Sequence, residues 1–455
     1  MRSKTAHERY LDFDGESRLN VVQDYREKYR ALSDLLDAQP AILGLVHRDV
    51  ARLSSPNPRG RGAEYSSEQL LRALVVMYVE HTDYRDTVVR IENSDFLRHF
   101  VRLAYGQPTM DFTFLNRVHS AISAATWKAI NGALSRYAAA KARIEGEKCR
   151  LDATVVETNI HYPTDSSLLW DAFRTLARLL GNFQREVSEW ELDHRFHTRK
   201  VKKLAYFIAR NAKSPSPKTQ RKVQQTYRTL IDRVTWIVGV AEAIQRQASR
   251  FAVALTEIGH YLPLVKRVID QTERRVFGGE TVPAQDKLYS LFEPHTELLK
   301  RGKAGKPVEF GHKILLAQTA QKFIHHYDVL PVRKEDPDLL EPALNAHEKL
   351  FGGPPKVLST DKGFYASMEQ IAALEERIAV VSMAKKGRRT AEQIARESTE
   401  EFQEGQRFRA GSEGSISVLK RAFKLGKCLF KGFKHYAASV GLAVFCHNLV
   451  LLARG

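Results

Sequence analysis

The sequence predicts an α/β protein, with a mixed-sheet core interrupted after its first strand by a long helical insertion and preceded by an all-α region. Three observations predict this. At 455 residues the chain exceeds one ordinary domain. Apolar residues recur at helical spacing through the first third, then switch at Cys149 to an alternation rich in β-branched side chains. Helical spacing returns over 168–275, after which strand-like segments resume.

Taken in order, residues 16–52 read as helical through Leu19, Val22, Tyr25, Tyr29 and Leu32. The run SSPNPRGRG at 54–62 breaks the pattern and reads as a linker. Ser66 with Gln69 three residues on resembles a capping box ahead of an apolar run. Helices are expected near 66–81, 84–92, 94–104 and 112–141. CRLDATVVET, at 149–158, reads as a strand carrying Asp152 in its middle. Strands are expected again at 307–319, 323–330, 356–360 and 378–383, with helices at 338–351 and 366–376, and the stretch 411–453 reads as helical. The implied domains are 1–64, an N-terminal helical segment and linker; 65–145, a helical DNA-binding or dimerisation domain; 146–164 with 285–455, the core; and 165–284, a basic helical insertion. No repeat of solenoid period is present.

The charge balance narrows the partners. Lysine and arginine total 71 against 53 acidic residues, a net charge of +18 and a pI of about 9.7. Such an excess suits a long polyanion, although an anionic membrane surface would satisfy the same number. Cys149, Cys428 and Cys446 are too few and scattered for a disulfide framework, which fits a reducing compartment. Cys446-His447 alone is a poor zinc site. MRSKTAHERY, at the start, is charged and has no apolar signal region. Tyr436 to Ala453 is the longest apolar stretch, but His447, Asn448 and many small residues mark it as a core helix. A cytoplasmic, nucleoid-associated protein with no membrane partner is expected.

Three carboxylates stand out. Asp152 sits within an apolar strand, where it is either a site residue or simply exposed on a sheet face. Asp361 follows Val357-Leu358 at a strand end, a position favoured by ligand sites and equally by turn-capping aspartates. Glu413, between Gly411 and Gly414, reads as lying at a helix entry, where a glutamate commonly faces the dipole. Three carboxylates from two strands and a helix could hold a pair of Mg²⁺ ions around a phosphodiester.

Several blocks resemble the insertion-sequence DDE transposases, particularly the ISNCY-type group. LDATVVETNIHYPTDSSLLWD (151–171), EFGHKILLAQT (309–319), VLSTDKGFYAS (357–367) and RAGSEGSISVLKR (409–421) resemble that family's blocks in order. The family signature Y-x2-R-x3-E-x6-K is matched at Arg409, Glu413 and Lys420, with Gln406 in place of the tyrosine. The resemblance implies an RNase H-like catalytic core with Asp152, Asp361 and Glu413 as catalytic metal ligands. It also implies two Mg²⁺ ions, with Mn²⁺ as a substitute, and double-stranded DNA, both transposon ends and target, bound by a homodimer. The expected activity is Mg²⁺-dependent cleavage at transposon ends followed by strand transfer. An RNase H-like nuclease without strand transfer and a catalytically inactive DNA-binding derivative are the alternatives.

Two basic surfaces are expected to meet DNA. Residues 165–275 hold 21 basic and 11 acidic residues, a net +10. Within them, Arg199, Lys200, Lys202, Lys203, Arg221 and Lys222 lie in a stretch, 195–228, without a single acid. That stretch is either a phosphate-tracking surface or a solvated helical face. Lys420, Lys424, Lys427, Lys431 and Lys434 recur at +4, +3, +4 and +3, which on one helix forms a stripe continuing from Glu413. Gly426 and Gly432 interrupt that helix. No P-loop, dinucleotide glycine fingerprint or HExxH helix is present. His161, His312, His325 and His326 read as structural or DNA-facing, with the last two on opposite strand faces.

Overall fold

The computed structural model describes residues 3–4, 19–54, 64–187, 194–303 and 306–454. The linker assigned to 54–62 lies outside the described residues except for Ser54, as does most of the charged N-terminal segment.

The chain opens with α1 (Asn20–Asp37), α2 (Pro40–Val50), α3 (Ser67–Val79), α4 (Tyr84–Glu92), α5 (Asp95–Val101), α6 (Phe112–Ala121) and α7 (Ala124–Ala140). Two helices expected to be continuous are split, for local reasons. Pro40 lacks the N–H a continuing helix needs, so it starts α2 instead. Ser123 caps α7 by accepting from the Thr126 amide, which ends the run at 112–141 midway. The capping box is present in both halves: Ser66 Oγ accepts from the Gln69 amide at 3.2 Å, and Gln69 Oε1 accepts from the Ser66 amide at 2.8 Å.

Then follow β1 (Lys148–Thr158), α8 (Asp165–Glu186), α9 (Thr198–Asn211), α10 (Pro217–Gln247), α11 (Ala252–Val276), β2 (Glu297–Lys303), β3 (Lys306–Thr319) and β4 (Ile324–Val329). The remainder is α12 (Leu340–Phe351), β5 (Val357–Ser359), α13 (Met368–Glu375), β6 (Val380–Ser382), α14 (Ala391–Glu397), α15 (Glu400–Ala422), β7 (Lys427–Cys428) and α16 (Phe433–Ala453). The protein is mostly helical, with one mixed sheet of order β2-β3-β1-β5-β6 that does not close into a barrel; β4 also pairs with β3, and β7 with β1. Strands β1, β5 and β6 run parallel, while β3 is antiparallel to both β2 and β4.

The chain divides into two compact units, residues 1–157 with 312–455, and residues 158–311. In the first unit the period-2 geometry of β3 sends Ile314 and Leu316 to one core and Leu315 and Ala317 to another. The former is completed by α3, α7 and α16, the latter by Leu340 and Leu344 of α12 and Ile371 of α13. Among the described residues α16 is the one helix long and apolar enough to cross a membrane, yet 83% of its most apolar window is buried within the protein. Its polar atoms are matched internally, as a core helix requires. Asn448 pairs with both the amide and the carbonyl of Ile324, and the Tyr436 hydroxyl donates to Val156 O at 2.7 Å. In the second unit α8, α9, α10 and α11 pack around Leu169, Phe173, Leu180, Leu230, Val234 and Val265.

Helix α15 crosses β1, β5 and β6 closely because it presents glycine where they meet. A Cβ at Gly405 would collide with Ser382, and one at Gly411 with the Arg150 guanidinium. Arg150, 3% exposed, donates to Gln318 Oε1 (3.0 and 2.8 Å), Phe408 O (2.9 Å) and Ser415 Oγ (3.3 Å).

Candidate functional site

Two of the three singled-out carboxylates come to the same level of neighbouring strands, Asp152 within β1 and Asp361 just past the end of β5. Arg150 of β1 lies level with Ser359 of β5, and each aspartate is two residues further on. Asp152 is half-buried and accepts a 2.5 Å hydrogen bond from Ser412 Oγ of α15. Burial raises its carboxyl above the ordinary range, against the pull of the Ser412 bond, with the Asp361 charge adding to the rise and Arg409 opposing it. Asp361 does what a turn-capping aspartate does, accepting from the Gly363 amide at 2.8 Å.

Glu413 is not brought in with them. It lies in the middle of α15, not at a helix entry, because the helix begins eleven residues before Gly411, at Glu400. Its side chain is 74% exposed and pairs along the helix with Arg409 at 3.6 Å. Gln406, which stands where the family signature has tyrosine, donates to Ser382 O at 2.8 Å and Oγ at 3.0 Å, pinning α15 to the end of β6.

The lysine stripe is also corrected. Helix α15 stops at Ala422, Lys424 adopts a left-handed φ of 63°, Lys427 enters β7, and Gly432 at φ 78° precedes α16. Lys420, Lys424, Lys427 and Lys431 nevertheless gather, by a turn and not by helical period, around a cavity of about 800 Å³ that includes His81, Tyr84 and His435. Lys424 Nζ donates to Thr82 O and lies 5.3 Å from the Tyr78 ring centre, and burial pushes its ammonium down to about 8.

On the second unit, every lysine and arginine from Arg195 to Arg228, eleven in all, is exposed, and no acidic residue interrupts them. Val201, Ala205 and Ile208 turn the apolar side of α9 inward, which leaves Arg199, Lys200, Lys202 and Lys203 outward. Arg221 and Lys222 continue the charge on α10, where Lys222 Nζ stands 5.3 Å over the Phe207 ring of α9. Lys202 Nζ stands 5.5 Å over Tyr206, and both line a cavity of about 240 Å³ with His161, Trp170 and Arg174. Arg199, Lys200, Lys203 and Arg221 have no ion pair among the described residues.

Among the described residues, one set of three potential ligands lies close enough to share a metal ion: Cys149 of β1, His325 of β4 and His347 of α12, with ligand atoms within 4.8 Å of one another. From the sequence His325 reads as structural or DNA-facing, and Cys149 as one of three scattered cysteines. No signal was available, since the three are separated by 176 and 22 residues and share no motif. Of the other histidines, His326 pairs with Asp328 at 3.0 Å, His312 with Leu330 O at 3.0 Å and His161 with Asp171 at 2.6 Å.

No protein-family model, curated protein or solved structure matches this chain. With the geometry above, this corrects the resemblance to the ISNCY-type DDE transposases. Asp152, Asp361 and Glu413 do not form a set of metal ligands among the described residues, where the candidate set is a thiol and two imidazoles. Thiolate and imidazole are the ligands of thiophilic ions, whereas Mg²⁺ requires oxygen. The reading as a DDE transposase working through two Mg²⁺ or Mn²⁺ ions is therefore set aside.

Proposed function

We propose that this chain is a catalytically inactive DNA-binding protein that grips the duplex by its phosphates through the basic face of α9 and α10. The observation that carries this reading is the unbroken run of exposed cations over 195–228, on two helices whose charged faces adjoin at Lys222 and Phe207. Point charges of this kind provide affinity by releasing counterions and carry little sequence information. A membrane-surface helix lays a row of large apolar side chains beside its cations; on α9 Val201, Ala205 and Ile208 are turned into the core, and Tyr206 is the one large apolar side chain left exposed. The cavity lined by Lys420, Lys424, Lys427 and Lys431 offers a second cationic contact for phosphate. The order β4-β3-β1-β5-β6, antiparallel at β3/β4 and parallel from β1 onward, supports an RNase H-like topology for the sheet.

The test is anisotropy of a labelled duplex titrated with the full chain and with a variant carrying Arg199→Gln, Lys200→Gln, Lys202→Gln and Lys203→Gln. The variant is expected to bind at least about tenfold more weakly at low salt. Equal affinity would remove the interface. Mg²⁺-dependent cleavage of the duplex by the parent, lost in Asp152→Ala, would replace this reading with a nuclease.

A further inference from the structure

Beneath Phe351, whose ring centre lies 4.7 Å from that of His347 and 5.7 Å from that of His325, two imidazoles meet edge on. His347 Nε2 lies 2.9 Å from Gly146 O, an acceptor, so that nitrogen carries the proton and His347 Nδ1 is left with a lone pair. That lone pair faces His325 Nε2 at 3.2 Å. Two nitrogens bound to one ion at ordinary bond lengths stand about 3.3 Å apart, so the pair already has the spacing of ligands. The Gly146 carbonyl fixes the His347 tautomer and ring plane, as the outer partner of a ligating histidine does. His325 Nδ1 is buried with no hydrogen-bond partner. Cys149, fully buried on β1, supplies the third atom.

We propose that Cys149 Sγ, His325 Nε2 and His347 Nδ1 form a binding site for a thiophilic d¹⁰ ion, Zn²⁺ or Cu⁺, which ties β1, β4 and α12 together. On binding, the thiol proton leaves to solvent as the sulfur–metal bond forms, and the His325 proton moves from Nε2 to Nδ1. Burial favours the neutral form of both imidazoles, which is the form that ligates, and raises the Cys149 thiol to about 12, so the ion has to displace that proton. The two ions differ in charge and geometry. Cu⁺ with one thiolate and two neutral imidazoles gives an uncharged three-coordinate site, suited to burial. Zn²⁺ leaves a net positive charge and takes a fourth ligand, such as water. The site is independent of DNA binding.

Reduced full-length protein, stripped with chelator, is loaded separately with Zn²⁺ and, anaerobically, with Cu⁺, then desalted and analysed for metal. One equivalent of one ion is expected to remain, and which ion it is decides between the two. Retention is expected to fall at least about tenfold in Cys149→Ser and in His325→Gln, with circular dichroism showing that each variant has folded. Co²⁺ added to the unmodified chain provides a readout independent of the variants, a thiolate-to-metal charge-transfer band in the near ultraviolet. Retention of neither ion without such a band, or equal retention in both folded variants, would overturn the proposal.

Discussion

Ser412 of α15 donates its hydroxyl to Asp152 of β1 across 2.5 Å, joining helix to sheet at a carboxylate in the middle of an apolar strand. This bond stabilises the ionised carboxylate, against the burial that favours its neutral form. Removing it with Ser412→Ala should cost about 1–3 kcal/mol, the range for a hydrogen bond to a buried charged group. The sign follows from the carboxyl's raised range in the folded protein. Above that range the unbonded carboxylate remains charged and the full cost applies; below it Asp152 is protonated and the cost shrinks. Urea unfolding of parent and variant at neutral and acidic pH measures this, and a cost that does not change with pH would contradict it.

Gly411 and Gly414 lie on one helix but should respond oppositely to alanine. A Cβ at Gly411 meets the Arg150 guanidinium, which is held by Gln318, Phe408 and Ser415 and has nowhere to go. Gly411→Ala should therefore destabilise by about 1–3 kcal/mol. A Cβ at Gly414 meets nothing within 4 Å, and Gly414→Ala should stabilise by about 0.5–1 kcal/mol through helix propensity. Denaturant midpoints at equal m-value compare the two.

Lys424 makes stability depend on alkaline pH. Its ammonium is pushed down to about 8 from 10.5 in the unfolded chain, so between those values the unfolded state binds more protons. Stability carried by this residue therefore rises as pH increases through that window, by on the order of 3 kcal/mol. The difference in unfolding free energy between the parent and Lys424→Met cancels the other titrating groups. It should move in favour of the parent from pH 8 to 10.5, and a flat difference would mean that the lysine is not desolvated.

Salt should report how many cations on α9 touch phosphate. For duplex DNA each contact removed lowers the slope of log affinity against log salt by about 0.9. Binding isotherms at several salt concentrations, for the single variants Lys200→Gln and Lys203→Gln, should each show a decrease of that size with little change in preference among duplex sequences. An unchanged slope would place these side chains away from the backbone.

The kinds of element and most of their positions are legible in the linear order, because periodicity and capping are local. The switch at Cys149 marked β1, Ser66 and Gln69 marked the start of α3, and His447 and Asn448 marked α16 as a core helix. The exposed cations of 195–228 were legible for the same reason: a helix with Val201, Ala205 and Ile208 on one side must turn its lysines to the other. The two-residue strand β7 was not legible, since it is held by its pairing with the distant β1; strand β2, which pairs with the next strand β3, and helix α14, capped by Thr390 and Gln393, carry only short local signals. The sites come from packing. It brought Asp152 beside Asp361 through strand register, left Glu413 exposed on α15, and folded an apparent lysine stripe into a turn at Lys424 and Gly432. It also joined Cys149, His325 and His347, which nothing in the linear order connects, because ligand geometry depends on distances that only packing sets.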